Sequence, residues 1–309
     1  MSIDDKQTDF EDSSQESMDF SSVDGYKKRS QLRMIAARFA KNRMAMVGLV
    51  VLILLVVMVV TVDFFFDYQT DAIKQDMRNR LQSPSMAHWF GTDQYGRDIF
   101  ARIVYGARIS LVTSICVISI STVLGAVLGA LSAYYGGWVD NLIMRINDVF
   151  YALPFNLMAI CVVASLGSGI MNLGLACVVG VVPGFARIFR SAILPIKSQE
   201  YIEAAKACGT HDRRILMRHI IPNAMGPIIV QATLNLAITM LAISGLSYIG
   251  LGIESPMPEW GVMLSEGTTY MRDYPFLVLF PGFAIVVAAL ALNLIGDGMR
   301  DALDPKLKN

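Results

Sequence analysis

Long apolar runs constrain this chain more than any other feature of its sequence. The first, residues 44–62, interrupts its aliphatic side chains with a single hydroxyl, Thr61. At 1.5 Å per helical residue it spans about 30 Å, the thickness of a bilayer's hydrocarbon core. Comparable runs recur at 109–135, 149–166, 170–185, 223–249 and 276–295. In lipid every backbone polar group must be satisfied within the protein, and unbroken rather than alternating apolar stretches select helices over strands. The expectation is an all-α, multi-pass transmembrane helical bundle with six spans. A content of 54% hydrophobic against 17% charged residues excludes a soluble chain of this length. Thr61, Val62, Asp63 and Phe64 offer no small-residue cleavage site, so the first run is read as a retained span.

The formal net charge of zero hides a steep asymmetry. Residues 1–26 carry Asp4, Asp5, Asp9, Glu11, Asp12, Glu16, Asp19 and Asp24 among serines and glutamines, a composition predicting a disordered acidic tail. Residues 27–43 turn basic, with Leu32, Ile35, Ala36 and Phe39 at helical spacing opposite Arg33 and Lys41, predicting an interfacial helix. Residues 44–309 form the helical membrane domain. The basic cluster before the first span, and Arg187, Arg190 and Lys197 after the fourth, place both chain termini and the polar insertion at 198–222 on the cytoplasmic side. The loop 63–108 is then external, although Lys74, Arg78, Arg80, Arg97, Arg102 and Arg108 lie in it. Cys116, Cys161, Cys177 and Cys208 are scattered, without metal-ligand spacing.

The insertion at 198–222 reads as two short helices joined by a sharp elbow. Ser198 is a candidate cap for the first, Glu200 suits its first turn, and Gly209 supplies the left-handed residue that ends it. Thr210 is a candidate cap for the second, Asp212 lies in its first turn, Arg213, Arg214 and Arg218 follow, and Pro222 is expected to stop it. Glu203, Ala204, Ala205, Gly209, Ile221 and Pro222 resemble the EAA signature of integral-membrane subunits of ATP-binding-cassette importers, with His219 and Ile221 departing from the family's usual aliphatic residue and leucine. That resemblance implies a coupling helix docking on a cytoplasmic ATPase, with Glu203, Ala204, Ala205, Gly209, Thr210, Asp212, Arg213 and Arg214 as its contact residues. An ordinary amphipathic loop is the plainer alternative.

His88, Phe90, Gly91, Thr92, Asp93, Gly96, Arg97 and Asp98 resemble a narrower signature, that of C-type permease subunits of dipeptide, oligopeptide and nickel importers. Pro256, Pro258, Glu259, Trp260 and Gly261, and the segment from Gly296 to Pro305, resemble the same family. The resemblance implies that Thr92, Asp93, Arg97, Pro258 and Trp260 face a docked binding protein. On residue chemistry alone, Asp93 or Thr92 is a candidate cap for the helix entering span two, and a purely structural turn is the competing reading.

The expected interiors of the six spans hold no Asp, Glu, Lys or Arg, which argues against an ion-coupled pump. No GxxxxGK[ST] loop cradles phosphates and no HExxH motif is present. The chain is therefore expected to be non-catalytic and without a cofactor, with ATP and Mg on partner ATPase subunits. Gln231 and Asn235, four apart on one helical face, and Asn293 are candidates to line a pathway; interhelical hydrogen bonding is the alternative. The resemblance implies the permease subunit of an ATP-driven dipeptide or oligopeptide importer in a bacterial inner membrane. Its implied partners are a homologous B-type permease, two cytoplasmic ATPase subunits, an extracytoplasmic substrate-binding protein, a peptide and the bilayer, and no nucleic acid. A nickel or metal-chelate importer, a signalling receptor or scaffold, and a passive channel are the alternatives.

Overall fold

A computed structural model describes residues 31–303, so the expected acidic tail, the start of the basic segment and the last six residues lie outside the described part. Its elements are helices. Helix α1, Gln31–Lys41, precedes α2, Arg43–Thr61; then come α3, Ile99–Tyr135, α4, Gly137–Ala152, and α5, Phe155–Leu166. After these run α6, Ile170–Lys197, the short α7, Glu200–Ala207, and α8, Asp212–Ile215; α9, Ile221–Tyr248, α10, Trp260–Thr268, and α11, Phe276–Leu303, complete the chain. Helices α2, α3, α6, α9 (with its lead-in) and α11 are each long and apolar enough to cross a membrane. Their outward faces carry Val47, Ile53, Leu54, Val123, Leu241 and Leu279, all exposed, as lipid-facing helices require.

The third expected span, 149–166, is broken at Pro154, and its first residues belong to a longer helix. Residues 137–166 form two helices bent by 90° at Leu153 and Pro154. Leu153 is extended because the proline ring behind it disfavours the helical conformation. Helix α5 is only about 18 Å long by its 12 residues, so it crosses only as half of a bent pair. The polar stretch between the second and third apolar runs, 136–148, forms most of α4. Its polar residues mimic a loop, but Asp140 forms a two-point ion pair with Arg190 of α6 (2.6 and 2.7 Å), and Asp148 accepts from Arg187 (3.0 Å).

Other boundaries move outward. Helix α3 begins ten residues before the expected start of span two, because Asp98, rather than Thr92 or Asp93, accepts the Ala101 amide and caps it. Helices α6 and α11 outrun their apolar runs, so α6 includes Arg187 and Arg190, and α11 includes Asp297 and Arg300. Pro222 does not end a helix. From Asp212 to Tyr248 the chain is helical throughout, passing through a π-helical turn, Leu216–Ile220. A wider turn just before the proline relieves the clash its ring would make with the preceding turn, and it lacks the amide that would otherwise go unpaired.

Packing centres on α3 against α6. A Cβ on Gly125 would lie 2.5 Å from the Phe185 Cβ, and one on Gly129 would lie 2.4 Å from the Ala186 carbonyl oxygen. The GxxxG spacing thus brings two backbones together. Asn42 Nδ2 donates to Asp301 (3.0 Å), joining the start of α2 to the end of α11. Lys197 Nζ donates to the Ala133 carbonyl (3.2 Å), joining the ends of α6 and α3. Both junctions lie at the end of the bundle that carries α7 and α8, the elbow end; the long connections 62–98 and 249–275 occupy the other, the loop end. Gly129→Leu is expected to overpack this contact and cost about 1–3 kcal/mol. Thermal unfolding in mild detergent should show the loss, while Gly184→Ala, whose added Cβ meets nothing within 4 Å, should not lower the midpoint.

Candidate functional site

The elbow is a rigid projection. Helix α7 ends in a Schellman arrangement: the Gly209 amide donates to the Lys206 carbonyl (2.9 Å) and the Thr210 amide to the Ala205 carbonyl (3.1 Å). Gly209 takes φ +73°, a conformation that costs other residues about 1–2 kcal/mol. The expected side-chain caps are not made. Gln199 and His211 hold the cap positions without side-chain bonds, and the Ser198 hydroxyl turns back to the Pro195 carbonyl. Tertiary packing holds the elbow instead: Ile202, Ile215 and Ile220, all 0% exposed, pack against Ala130, Ala133 and Tyr134 of α3 and Phe189 and Ile193 of α6. The Tyr134 hydroxyl donates to Asp212, and the Lys206 ammonium lies 5.3 Å from the Tyr134 ring.

What the elbow leaves exposed is largely polar, with Tyr201 and Met217 the main exceptions. Glu203, Ala204, Gly209, Asp212, Arg213 and Arg214 are exposed, while Ala205 and Thr210 are half-buried. Between Cys208, Gly209 and Thr210 on one side and His211, Arg213, Arg214 and Met217 on the other lies a shallow groove of about 760 Å³. No carboxylate lines it. Among the described residues Arg213, Arg214 and Arg218 form no ion pair.

Along the helices leading from the elbow, a second cavity of about 280 Å³ opens. Gln231 and Asn235 of α9 line it, together with Tyr151 of α4 and Gly184, Phe185 and Arg187 of α6. Asn235 already donates one N–H to the Gln231 backbone carbonyl (2.9 Å), which leaves its amide oxygen and its second N–H free. Asn293 is exposed and does not line this cavity, so the expected trio is separated: α11 presents it elsewhere. Sequence pattern missed Arg187 and Tyr151, whose guanidinium and ring lie 4.3 Å apart. One signal was present, since Arg187 and Arg190 share a helical face; their pairing with Asp148 and Asp140 is a tertiary outcome.

At the loop end the residues expected to face a partner are buried. Thr92 and Trp260 are 0% exposed, Arg97 is 1% and Asp93 is 5%, and Pro258 is also buried. None of the five therefore presents a surface, because each is consumed by an internal bond or close packing. Arg97 binds Asp93 through Nε (2.6 Å) and Glu266 through Nη2 (2.8 Å). Arg102 also reaches Glu266 (3.3 Å), and donates to the carbonyls of Ala72 (2.9 Å) and Pro256 (3.2 Å). Thr92 accepts the Gln82 amide, and Trp260 Nε1 donates to the Ile103 carbonyl (2.9 Å). Glu259, also 0% exposed, accepts from Ser110 of α3 (3.2 Å), Ser244 of α9 (2.9 Å) and the Val262 amide, which caps α10. His88 pairs with the capping Asp98 at 2.8 Å.

A multi-helix membrane bundle with a rigid polar elbow at one end and a polar cavity along the helices that carry it is a transport subunit of the permease class. The chain belongs to the family described as "binding-protein-dependent transport system inner membrane component", which it matches over residues 121–309. Residues 30–84 match the "N-terminal TM domain of oligopeptide transport permease C". The chain is 43% identical over 288 residues to the dipeptide transport system permease protein DppC of Alkalihalophilus pseudofirmus, covering 93% of each. It is 44% identical over 271 residues to the glutathione transport system permease protein GsiD of Escherichia coli O157:H7, covering 88% of this chain and 89% of that one. A chain of the MetNI methionine ABC transporter, solved in inward facing conformations, shares the fold with a TM-score of 0.54 at 18% identity, over 66% of this chain and 96% of that chain.

The buried charges generate a stability prediction. Glu266→Gln leaves two guanidiniums, each with a side chain at most 1% exposed, sharing the single carboxylate of Asp93. Uncompensated buried charge typically costs about 3–5 kcal/mol. Limited proteolysis should cut the 62–98 connection far faster in this variant, with the elbow end unaffected.

Proposed function

We infer that this chain is the non-catalytic permease subunit of an ATP-driven peptide importer, taking dipeptides or small peptides such as glutathione. It forms half of the translocation pathway beside a homologous permease. The elbow docks on a nucleotide-hydrolysing subunit, which holds the ATP and Mg, and an extracytoplasmic binding protein delivers substrate to the loop end. The elbow and both termini lie in the cytoplasm of a bacterial cell. The basic residues of α1 and of the elbow end support this orientation, and two of the awkward cations at the loop end, Arg97 and Arg102, are matched by Asp93 and Glu266 in buried pairs.

One observation carries the reading. The elbow is the junction of α6 and α9, and those two helices supply Arg187, Gln231 and Asn235 to the same cavity. Because Ile202, Ile215 and Ile220 clamp the elbow to the bundle, a push on it moves the cavity walls rather than bending a loop. Neutral amides in that cavity hold peptide groups weakly enough to release them, and Arg187, already shared with Asp148, offers a donor for a carboxylate. The peptide class is supported by relatives named for dipeptide and glutathione transport.

Two tests follow. Gly209→Pro cannot keep a positive φ, and Glu203→Lys reverses a first-turn charge at a cost to the helix of only about 0.5–1 kcal/mol. Both variants should reach the membrane in normal amounts yet lose ATP-driven uptake of labelled dipeptide; normal uptake by both refutes coupling through the elbow. Replacing Gln231 and Asn235 together by Leu should lower uptake and change the preference between dipeptide and glutathione. Unchanged uptake and preference would remove these residues from the pathway.

A further inference from the structure

The elbow groove is lined by two exposed arginines, Arg213 and Arg214, and by no carboxylate, and a third exposed arginine, Arg218, directly follows its lining residue Met217. The one acid beside them in α8, Asp212, is held by the Tyr134 hydroxyl. Such a surface attracts an acidic chain, and this protein carries one. Residues 1–25 hold eight carboxylates against a single lysine, Lys6.

The two regions lie at the same end of the bundle. Helix α1 packs on α11, and Asn42 behind it bonds Asp301 at that helix's end. Helix α11 in turn packs on α9, whose start carries the elbow. Two helix-to-helix steps of 8–10 Å therefore separate α1 from the elbow's own helix, roughly 20 Å. A chain reaches at most about 3.3–3.6 Å per residue, so the seven residues from Asp24 to Gln31 already cover about 25 Å. Asp9 to Asp19 have length to spare.

We propose that the acidic N-terminal segment, residues 4–24, docks on the arginine-lined groove of the elbow in the same chain. The consequence for transport rests on the reading of the elbow as the ATPase docking element: the segment occupies that surface when no ATPase subunit does, and competes with it at low salt. Tethering makes the contact attainable with weak chemistry. A short tether gives an effective concentration on the order of 1 mM, so even millimolar intrinsic affinity leaves the groove substantially occupied. Exposed charges are screened over about 8–10 Å at 0.1–0.15 M salt, so the contact is salt-sensitive.

Cys208 provides the probe, since it is exposed and borders the groove. In the full-length chain with Cys116→Ala and Cys161→Ala, a Ser13→Cys substitution places a second thiol among the tail acids. The membrane-embedded protein is treated with a short bismaleimide. The expected product is a within-chain adduct that falls about fivefold between 0.1 and 0.5 M salt. It should fall similarly when Asp9→Asn, Glu11→Gln, Asp12→Asn and Glu16→Gln neutralise the tail at unchanged length. No adduct, an adduct only between chains, or one indifferent to both salt and tail charge overturns the proposal. In the assembled transporter, removing residues 2–24 should raise ATP turnover about twofold at 0.1 M salt and leave it unchanged at 0.5 M. Equal turnover at 0.1 M overturns the competition. The two readings fail separately: an absent adduct with Gly209→Pro still uncoupled defeats only the tail contact, and a charge-dependent adduct with Gly209→Pro fully active defeats only the coupling role.

Discussion

The close approach of α3 to α6 at Gly125 and Gly129 underlies the rest of the architecture, because it fixes what stands on either side of it. Below the contact, Ala130, Ala133 and Tyr134 form with Phe189 and Ile193 the floor on which the elbow sits. Beyond it, α6 turns Arg187 and Gly184 toward the cavity it shares with α9. In lipid there is no hydrophobic drive between apolar helices, so contact depends on backbones approaching closely enough for dispersion and weak polar contacts to accumulate. Small side chains on one face meet that requirement, and a methyl group at either glycine would not fit.

The two ends of the bundle use polar residues in opposite ways. At the loop end, Arg97, Arg102, Asp93, Glu266 and Glu259 are withdrawn from water and spend their bonding capacity on one another, on serines and on the backbone. The result ties the 62–98 connection, α3, α9 and α10 into one block. Such a network specifies an arrangement more than it adds stability, since desolvation consumes much of the Coulombic gain. At the elbow end the apolar isoleucines are buried and the charges are left in solvent, where they can meet another surface. A rigid block at one end and a clamped, charged projection at the other suit a subunit whose helices shift as units.

Legibility of the site followed the range of the interactions involved. Gly209 was readable because its left-handed conformation is a local demand, and Gln231 with Asn235 because four residues along a helix share a face. The caps failed: hydroxyls at Ser198 and Thr210 have the right chemistry, but the clamping isoleucines set where α7 and α8 begin. Thr92, Asp93, Arg97, Pro258 and Trp260 look like surface residues in a polar loop, and only their burial and their partners at Glu266, Gln82 and Ile103 show them to be interior. Asn293 was readable by residue type alone, and α11 presents it on an exposed face outside the cavity of Gln231 and Asn235.

The apolar runs by themselves determined that this is a helical membrane protein, roughly where its helices lie, and that a polar elbow interrupts them, since lipid leaves the backbone no alternative to internal hydrogen bonding. Tertiary structure alone decided that 137–152 packs as α4 against α6 and that the loop-end charges are buried. Each of these depends on a neighbour distant in the chain: an aspartate of α4 needs an arginine of α6, and Arg102 needs Glu266. Hydrophobicity is a property of a segment, whereas pairing is a property of two, and a linear sequence displays only the first.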